Sequence, residues 1–243
     1  MPATGDGAAD EWHVVQRWGV GERWGPHGDG TDDGPGDGGA VWLAYPDEGL
    51  QRASAALAVD GDVWVIDPVD TPELDELLDL MGEVRGVVVL LDRHWRDADT
   101  VADRHDVPIF VPDWFDDVPA DLDADVQRFG DRLPDTDFRA RRVVDNRFWQ
   151  EAALFGGETL VVPEAVGTAD IFVPGGEPLG VHPVLRLTPP RGALGGLGPE
   201  RIVVGHGAGV TEGATTALAD ALAGARRGAP RALAAMVGGM LRG

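Results

Sequence analysis

Apolar residues in the first half of the chain form short runs separated by polar turns, a pattern typical of β-strands. Two such runs flank Asp60-Gly61 within SAALAVDGDVWVID (54–67), and an Asp-Gly pair between apolar runs predicts a β-hairpin. The runs VWLAY (41–45) and GVVVLL (86–91) are also strand-like. Because GVVVLL is too continuous for a half-exposed strand, we expect it to be buried on both faces of a sheet covered by helices.

Helical spacing appears between these strands. Apolar residues recur at i, i+3, i+4 and i+7 from Leu74 to Met81, which predicts a helix at about 72–82 with Thr71 as its N-cap and Pro72 as its first residue.

A second helix is predicted after Asp97, which would cap it, with Ala98 to His105 presenting one apolar side. The strand-like run VPIFVP (107–112) follows this helix. The sequence therefore predicts a βαβ unit between GVVVLL and VPIFVP.

Strand-like runs return between residues 138 and 204, in FRARRVVD, EAALF, ETLVVPEAV and ERIVVGHGAGV. The intervening Gly/Pro-rich segment 174–200 predicts an irregular excursion. Two Ala-rich helices are predicted near 212–226 and 229–241. The order of elements predicts two stacked sheets, with most of the second formed by strands from 138–204.

The charge of the chain indicates its environment. All 20 cationic residues are Arg, and the formal net charge of the 243 residues is −22. Such a surface repels itself at ordinary ionic strength, whereas molar salt shortens the Debye length to roughly 3 Å. We therefore predict a salt-adapted cytoplasmic protein; the alternative is an acidic protein from an ordinary high-GC organism. Nucleic acid is not an expected partner, since binding it relies on cations that neutralise phosphates. An acidic partner would need a local basic patch.

Cysteine is absent, so any metal would have to be bound by His and carboxylates. The N-terminus has no signal-peptide pattern, and no apolar run approaches the roughly 18 residues that span a membrane. Residues 1–40 are rich in Gly and Asp and are predicted to be partly disordered. Residues 41–243 are predicted to form a single domain.

Polar groups directly follow buried strands at two places, DRHWRD (92–97) and the turn VVGHGAGV (203–210). Ligands of α/β sheets bind at strand ends of this kind. Gly205 and Gly207 flank His206, which makes His206 the strongest single candidate for a site residue. His105 and His182 are interpreted as surface or packing residues.

Three tryptophans, Trp95, Trp114 and Trp149, lie near these segments in sequence. They either line a pocket or belong to the core, and the sequence does not separate the two interpretations. His13 and His27 lie in the N-terminal segment that is predicted to be partly disordered.

Over residues 41–223 the chain resembles the metallo-β-lactamase fold superfamily, through SAALAVDGDVWVID, VVVLLDRHWRDA, QEAALF, ETLVVPEAV and VVGHG. The resemblance implies a four-layer αββα sandwich with its active site at one edge. In such hydrolases that edge holds one or two zinc or iron ions, and the metal makes a bound water acidic enough to act as a nucleophile near neutral pH.

The family's ligand positions are only partly kept. Its His-x-His-x-Asp-His motif falls on Asp92, His94, Arg96 and Asp97, and its next ligand His falls on Glu151. Its bridging Asp and last His fall on Glu164 and His206.

An Arg guanidinium has no lone pair for a metal and stays charged in proteins. We therefore expect Arg96, together with Arg147 close to Glu151 in sequence, to pair with the carboxylates of a degenerate metal site. The sequence predicts that no cofactor is bound. It predicts that the protein is a binding or regulatory module whose partner is a small molecule or a protein. The alternative is a mononuclear zinc or iron hydrolase of esters, thioesters or phosphoesters, with ligands drawn from Asp92, His94, Asp97, Glu151, Glu164 and His206.

Overall fold

The computed structural model describes residues 12–19 and 37–240, apart from the side chains of 235–240. The first sheet contains seven strands in sequence order: β1 (His13–Gly19), β2 (Gly38–Leu43), β3 (Ala53–Val59), β4 (Asp62–Ile66), β5 (Glu83–Val88), β6 (Ile109–Pro112) and β7 (Val126–Phe129). Strands β1 to β4 are antiparallel to their neighbours, and β4 to β7 run parallel.

A second sheet has the order β13-β10-β9-β8, with β8 at one edge. Its strands are β8 (Arg139–Asn146), β9 (Trp149–Gly156), β10 (Thr159–Val162) and β13 (Arg201–Val204). Only β10 and β13 are parallel. A small third ladder pairs β11 (Val166–Gly167) with β12 (Gly180–Val181).

Helices cover the outer face of each large sheet. They are α1 (Leu74–Asp79), α2 (Ala98–His105), α3 (Arg191–Leu194) and α4 (Ala214–Met240), with a 3-10 turn at Pro183–Leu185. Neighbouring residues point to opposite faces of the strands, as the pleat requires. Trp42 packs with α1 and α2 while Val41 faces the second sheet, and Leu160 packs with α4 while Val161 faces the first sheet. The predicted αββα sandwich is confirmed.

Two predictions at helix ends are wrong. Thr71 does not cap α1: the N-cap is Glu73, in the left-handed region at φ 66°, and the Thr71 carbonyl accepts the Leu74 N–H. The two predicted C-terminal helices are one helix, α4, which runs through Pro230. Burial of Ala225, Ala229 and Ala232 on either side of the proline holds that helix against the fold despite the lost hydrogen bond.

The predicted hairpin around Asp60-Gly61 is confirmed as β3–β4. Strand β1 was not predicted, because it lies within the Gly/Asp-rich segment 1–40; it pairs with β2, which begins at Gly38 rather than at Val41. The parts of that segment at 1–11 and 20–36 lie outside the described residues. Among the described helices, none combines the length and the apolar character needed to cross a bilayer.

Strand direction determines where the polar groups meet. Asp67 follows β4, the segment with His94 follows β5, Glu164 follows β10, and His206 follows β13. These four strand ends lie at one edge of the sandwich, linked by backbone hydrogen bonds such as Gly205 N–H to Pro163 O and Asp67 N–H to Val88 O, at 2.9 Å each.

Candidate functional site

His94, Glu164 and His206 form a compact cluster at this edge. One ligand atom from each lies within 4.8 Å of the others, and the two imidazole centroids are 5.4 Å apart. The sequence predicts this meeting of two strand-end motifs more than a hundred residues apart, and the geometry confirms it.

His94 is oriented by Asp67. The Nδ1 of His94 lies 3.1 Å from Asp67 Oδ2, and Asp67 Oδ1 accepts the Leu90 N–H at 2.9 Å. Burial, with Arg96 nearby, holds the pKa of His94 well below its usual range, so the ring is neutral. Burial also raises the pKa of Asp67 to about 7. Because the Arg96 guanidinium can only donate, we assign the lone pair of His94 to Nε2, which faces Arg96, and the proton to Nδ1, which faces Asp67.

Arg96 faces that lone pair. Its Nη2 lies 3.4 Å from His94 Nε2 and 3.2 Å from the Gly205 carbonyl, and its Nη1 donates to the carbonyls of Ala53 (2.5 Å) and Asp67 (2.9 Å). The prediction that Arg96 pairs with carboxylates is therefore wrong in its partners, because main-chain carbonyls converge on the guanidinium. Burial lowers the pKa of Arg96 to about 10, which leaves it charged at neutral pH.

The backbone around Arg96 is held in uncommon conformations. Asp67 (φ 44°) and Arg96 (φ 40°) both lie in the left-handed region, which non-glycine residues seldom adopt and which costs on the order of 1–3 kcal/mol each. Gly205 has no room for a Cβ, which would overlap the Pro163 carbonyl. These constraints place the half-buried guanidinium against the imidazole.

The Nε2 atom of His206 is a buried hydrogen-bond acceptor without a donor among the described residues. The Nδ1 of the same ring donates to the Leu50 carbonyl at 3.0 Å. Burial, together with His94 and Arg96, holds the pKa of His206 well below its usual range. The neutral ring stacks on Phe172 at 5.6 Å and presents a bare lone pair.

Glu164 is paired with Arg93. Its Oε2 accepts from Arg93 Nη2 at 2.6 Å, and Arg93 stacks over Trp149 at 4.4 Å. The Nε2 of His182 lies 3.6 Å from Glu164 Oε1. Burial raises the pKa of Glu164 and lowers that of His182 to about 4. The site thus combines neutral imidazoles with two guanidinium groups.

Glu151 holds the loop that carries Glu164 in place. Its Oε1 accepts the backbone N–H groups of Glu164 and Ala165 at 2.8 Å each, and its Oε2 accepts the Trp149 indole N–H at 2.8 Å. Burial raises its pKa to about 7, against the three hydrogen bonds. Glu151 is therefore a positioning residue that holds the loop carrying Glu164, and its oxygens are already used.

Three other predicted site residues do not join the cluster. Asp92 accepts the Gln150 N–H at 2.7 Å and lies 3.4 Å from Arg93 Nη1. Asp97 is the N-cap residue of α2, as predicted, but its side chain makes no capping hydrogen bond and accepts the Asp70 N–H at 2.8 Å. Arg147 is exposed and stacks on Phe148, so the prediction that it pairs with the site carboxylates is wrong. A tight turn between β8 and β9 directs Arg147 away from the site.

Sequence reasoning missed Asp67, Arg93 and His182. Asp67 carried the same signal as 92–97, a polar group directly after a buried strand, and Arg93 lay inside that motif. His182 had no such signal, because it lies in the irregular segment 174–200. Of the three tryptophans, Trp149 lies at the site, whereas Trp95 and Trp114 pack on the core.

The donors present do not fit a metal ion while Arg96 is in place. Zinc bound to His94 Nε2 would lie about 2.0–2.1 Å from that nitrogen. The Arg96 guanidinium already faces the same lone pair at 3.4 Å, so the ion and a fixed positive charge would compete for one position. The unsatisfied Nε2 of His206 and the carboxylate of Glu164 are the ligand-capable groups that remain.

Comparison with known proteins gives the fold. No family model and no curated protein matches the sequence. The structure is similar to DIM-1 metallo-beta-lactamase exposed to ceftazidime, with a TM-score of 0.51 and 14% identity, covering 89% of this chain and 100% of that one. It is also similar to a flavoprotein from Thermotoga maritima, with a TM-score of 0.54 and 12% identity, covering 88% of this chain and 61% of that one. The chain has the metallo-β-lactamase fold.

Proposed function

We propose that this protein uses the metallo-β-lactamase fold without metal-dependent hydrolysis and serves as a binding or regulatory module. The observation that carries the proposal is the Arg96 guanidinium against His94 Nε2. A permanent cation there supplies the positive charge that a metal would supply, but it has no coordination position for a water nucleophile.

The site still has one open group. His206 Nε2 is a neutral acceptor without a donor, and a buried unpaired polar group costs roughly 1–3 kcal/mol. A ligand that places a hydroxyl or amine hydrogen on this nitrogen would recover that cost. The module therefore favours a ligand with a hydrogen-bond donor.

A second candidate function is a mononuclear hydrolase of esters, thioesters or phosphoesters. Its support is the spacing of His94, Glu164 and His206, three groups of a kind that bind zinc or iron. That function requires the Arg96 side chain to withdraw from His94.

Hydrolysis assays separate the two candidates. Ester, thioester and phosphoester substrates are offered to the protein with added zinc, iron or manganese, alongside His206→Ala as a matched variant. We expect no turnover that depends on both the metal and His206, because no metal-bound water forms. Metal-dependent turnover that His206→Ala abolishes would refute the proposal and establish the hydrolase.

A further inference from the structure

The exposed edge strand β8 carries a charge opposite to that of the molecule. Residues 139–147, RARRVVDNR, hold four of the chain's 20 arginines and one aspartate, a net charge of +3 in a chain of net charge −22. The strand is therefore a local basic segment in an acidic protein, as an acidic partner would require.

The outer edge of β8 is open for pairing. On its inner side β8 pairs with β9 from Arg139 to Asn146. On its outer side the chain pairs with the beginning of the strand, where Arg132 forms a β-bridge with Arg139 and the Ala140 N–H donates to Asp131 O at 2.9 Å. Helix α3 also contacts β8, through Arg141. Within the part of the chain that the structure describes, no strand pairs with the outer side of 141–146.

Two of the four arginines, those at the two ends of 139–147, make no ion pair with any described residue. The two in the middle are engaged, and Arg141 donates to the Ala193 carbonyl of α3 at 3.5 Å. Within residues 12–19 and 37–240, no carboxylate forms an ion pair with Arg139 or Arg147, although the chain has 42 acidic residues. Arg142 pairs with Asp145 at 2.8 Å and stacks over Trp114. Phe148, beside Arg147, is 76% exposed and adds apolar surface at the end of the strand.

We infer that β8 docks an acidic, extended polypeptide segment, which adds as a strand to the second sheet. An open edge offers main-chain hydrogen bonds, and its side chains select the sequence that pairs with it. Arg139 and Arg147, which flank the open part of the edge, select Glu and Asp. Two copies of this edge would repel each other, so the charge disfavours pairing of β8 with itself.

A polypeptide fits this edge better than nucleic acid does. The −22 surface repels nucleic acid and an acidic peptide alike, but only a polypeptide can use the main-chain donors and acceptors of a strand edge. The inference goes beyond the proposed function and does not depend on the state of Arg96. The β8–β9 turn leads directly into Trp149, which contacts Arg93 of the site, so a docked strand would lie next to the polar cluster.

Fluorescence anisotropy tests the docking edge with a labelled eight-residue peptide that alternates Glu and Val. We expect saturable binding in about 0.1 M salt that weakens at about 1 M, because the Debye length shortens. Arg139→Glu combined with Arg147→Glu should weaken binding on the order of tenfold or more, since like charges then meet at the interface. Arg227→Glu combined with Arg231→Glu, two exposed arginines of α4, is the matched control and should bind normally.

Two further probes complete the test. A peptide that alternates Glu and Pro has the same charge but lacks half of the main-chain donors, and it should bind much more weakly. Equal binding of the Glu-Pro and Glu-Val peptides, equal loss in both double variants, or no binding of the Glu-Val peptide would overturn the inference. Tighter binding of a DNA oligonucleotide than of the acidic peptide would overturn it as well.

Discussion

Adding zinc should raise the melting temperature of the Arg96→Ala variant by about 5–10 °C, and it should leave that of the unmodified protein unchanged. Removing the guanidinium frees the lone pair of His94 Nε2 and removes a positive charge, so His94, Glu164 and His206 can supply three ligand atoms. Zinc at about 100 times its dissociation constant would add about 2.7 kcal/mol. Each kcal/mol shifts the melting temperature by about 2–4 °C for a chain of this size.

Two variants control this experiment. Arg104→Ala removes an equal charge from an ion pair with Asp70 on the surface and should not respond to zinc. Arg96→Ala combined with His206→Ala should lose the response, because one ligand is gone. Differential scanning fluorimetry at fixed salt measures all four proteins. Equal zinc responses in Arg96→Ala and the unmodified protein would show that Arg96 does not exclude the metal.

Glu151→Ala should lower the free energy of unfolding by about 3–5 kcal/mol at pH 5, which is large for a domain. The substitution leaves two backbone N–H groups and the Trp149 indole N–H without their acceptor, and it opens a cavity in a fully buried position. Urea denaturation measures the loss. Glu212→Ala, an exposed glutamate, is the control and should leave the free energy of unfolding unchanged.

The loss at Glu151 should also depend on pH. Burial raises the pKa of the folded carboxyl from 4.5 to about 7, so the folded state favours the protonated form. The stability from this carboxyl is fully present below the unfolded value and is lost as the pH rises through about 7. The difference between the unmodified protein and Glu151→Ala should therefore shrink by on the order of 3 kcal/mol between pH 4.5 and pH 8. A difference that grows with pH would show that the three hydrogen bonds outweigh the burial.

Most of the fold could be predicted from local patterns. The Asp60-Gly61 turn predicts its hairpin directly, and the continuous apolar run 86–91 predicts a strand buried on both faces, although β5 extends from Glu83 to Val88. Strand β1 was missed although Val14, Val15 and Trp18 give it an apolar signal, because the Gly/Asp-rich run 25–39 separates it from β2. The continuity of α4 through Pro230 depends on tertiary packing that no local pattern contains. Salt adaptation and a cytoplasmic location stay predictions.

The sequence predicted which residues form the site better than it predicted their hydrogen-bond partners. His94 and His206 follow buried strands, and strand ends of one sheet edge meet by topology. The partners of Arg96 could not be predicted, because they are main-chain carbonyls whose direction depends on the left-handed backbone at Asp67 and Arg96. Glu151 was predicted as a ligand because sequence alignment places a residue on a strand but does not show which groups already use its oxygens.

Native mass spectrometry of the unmodified protein tests the central claim most directly. The protein is incubated with a several-fold excess of zinc near pH 7, freed of unbound ion, and weighed intact. If the Arg96 guanidinium holds the position that a metal would need, the spectrum should show the mass of the polypeptide alone. A stoichiometric zinc adduct that His206→Ala eliminates would contradict the account.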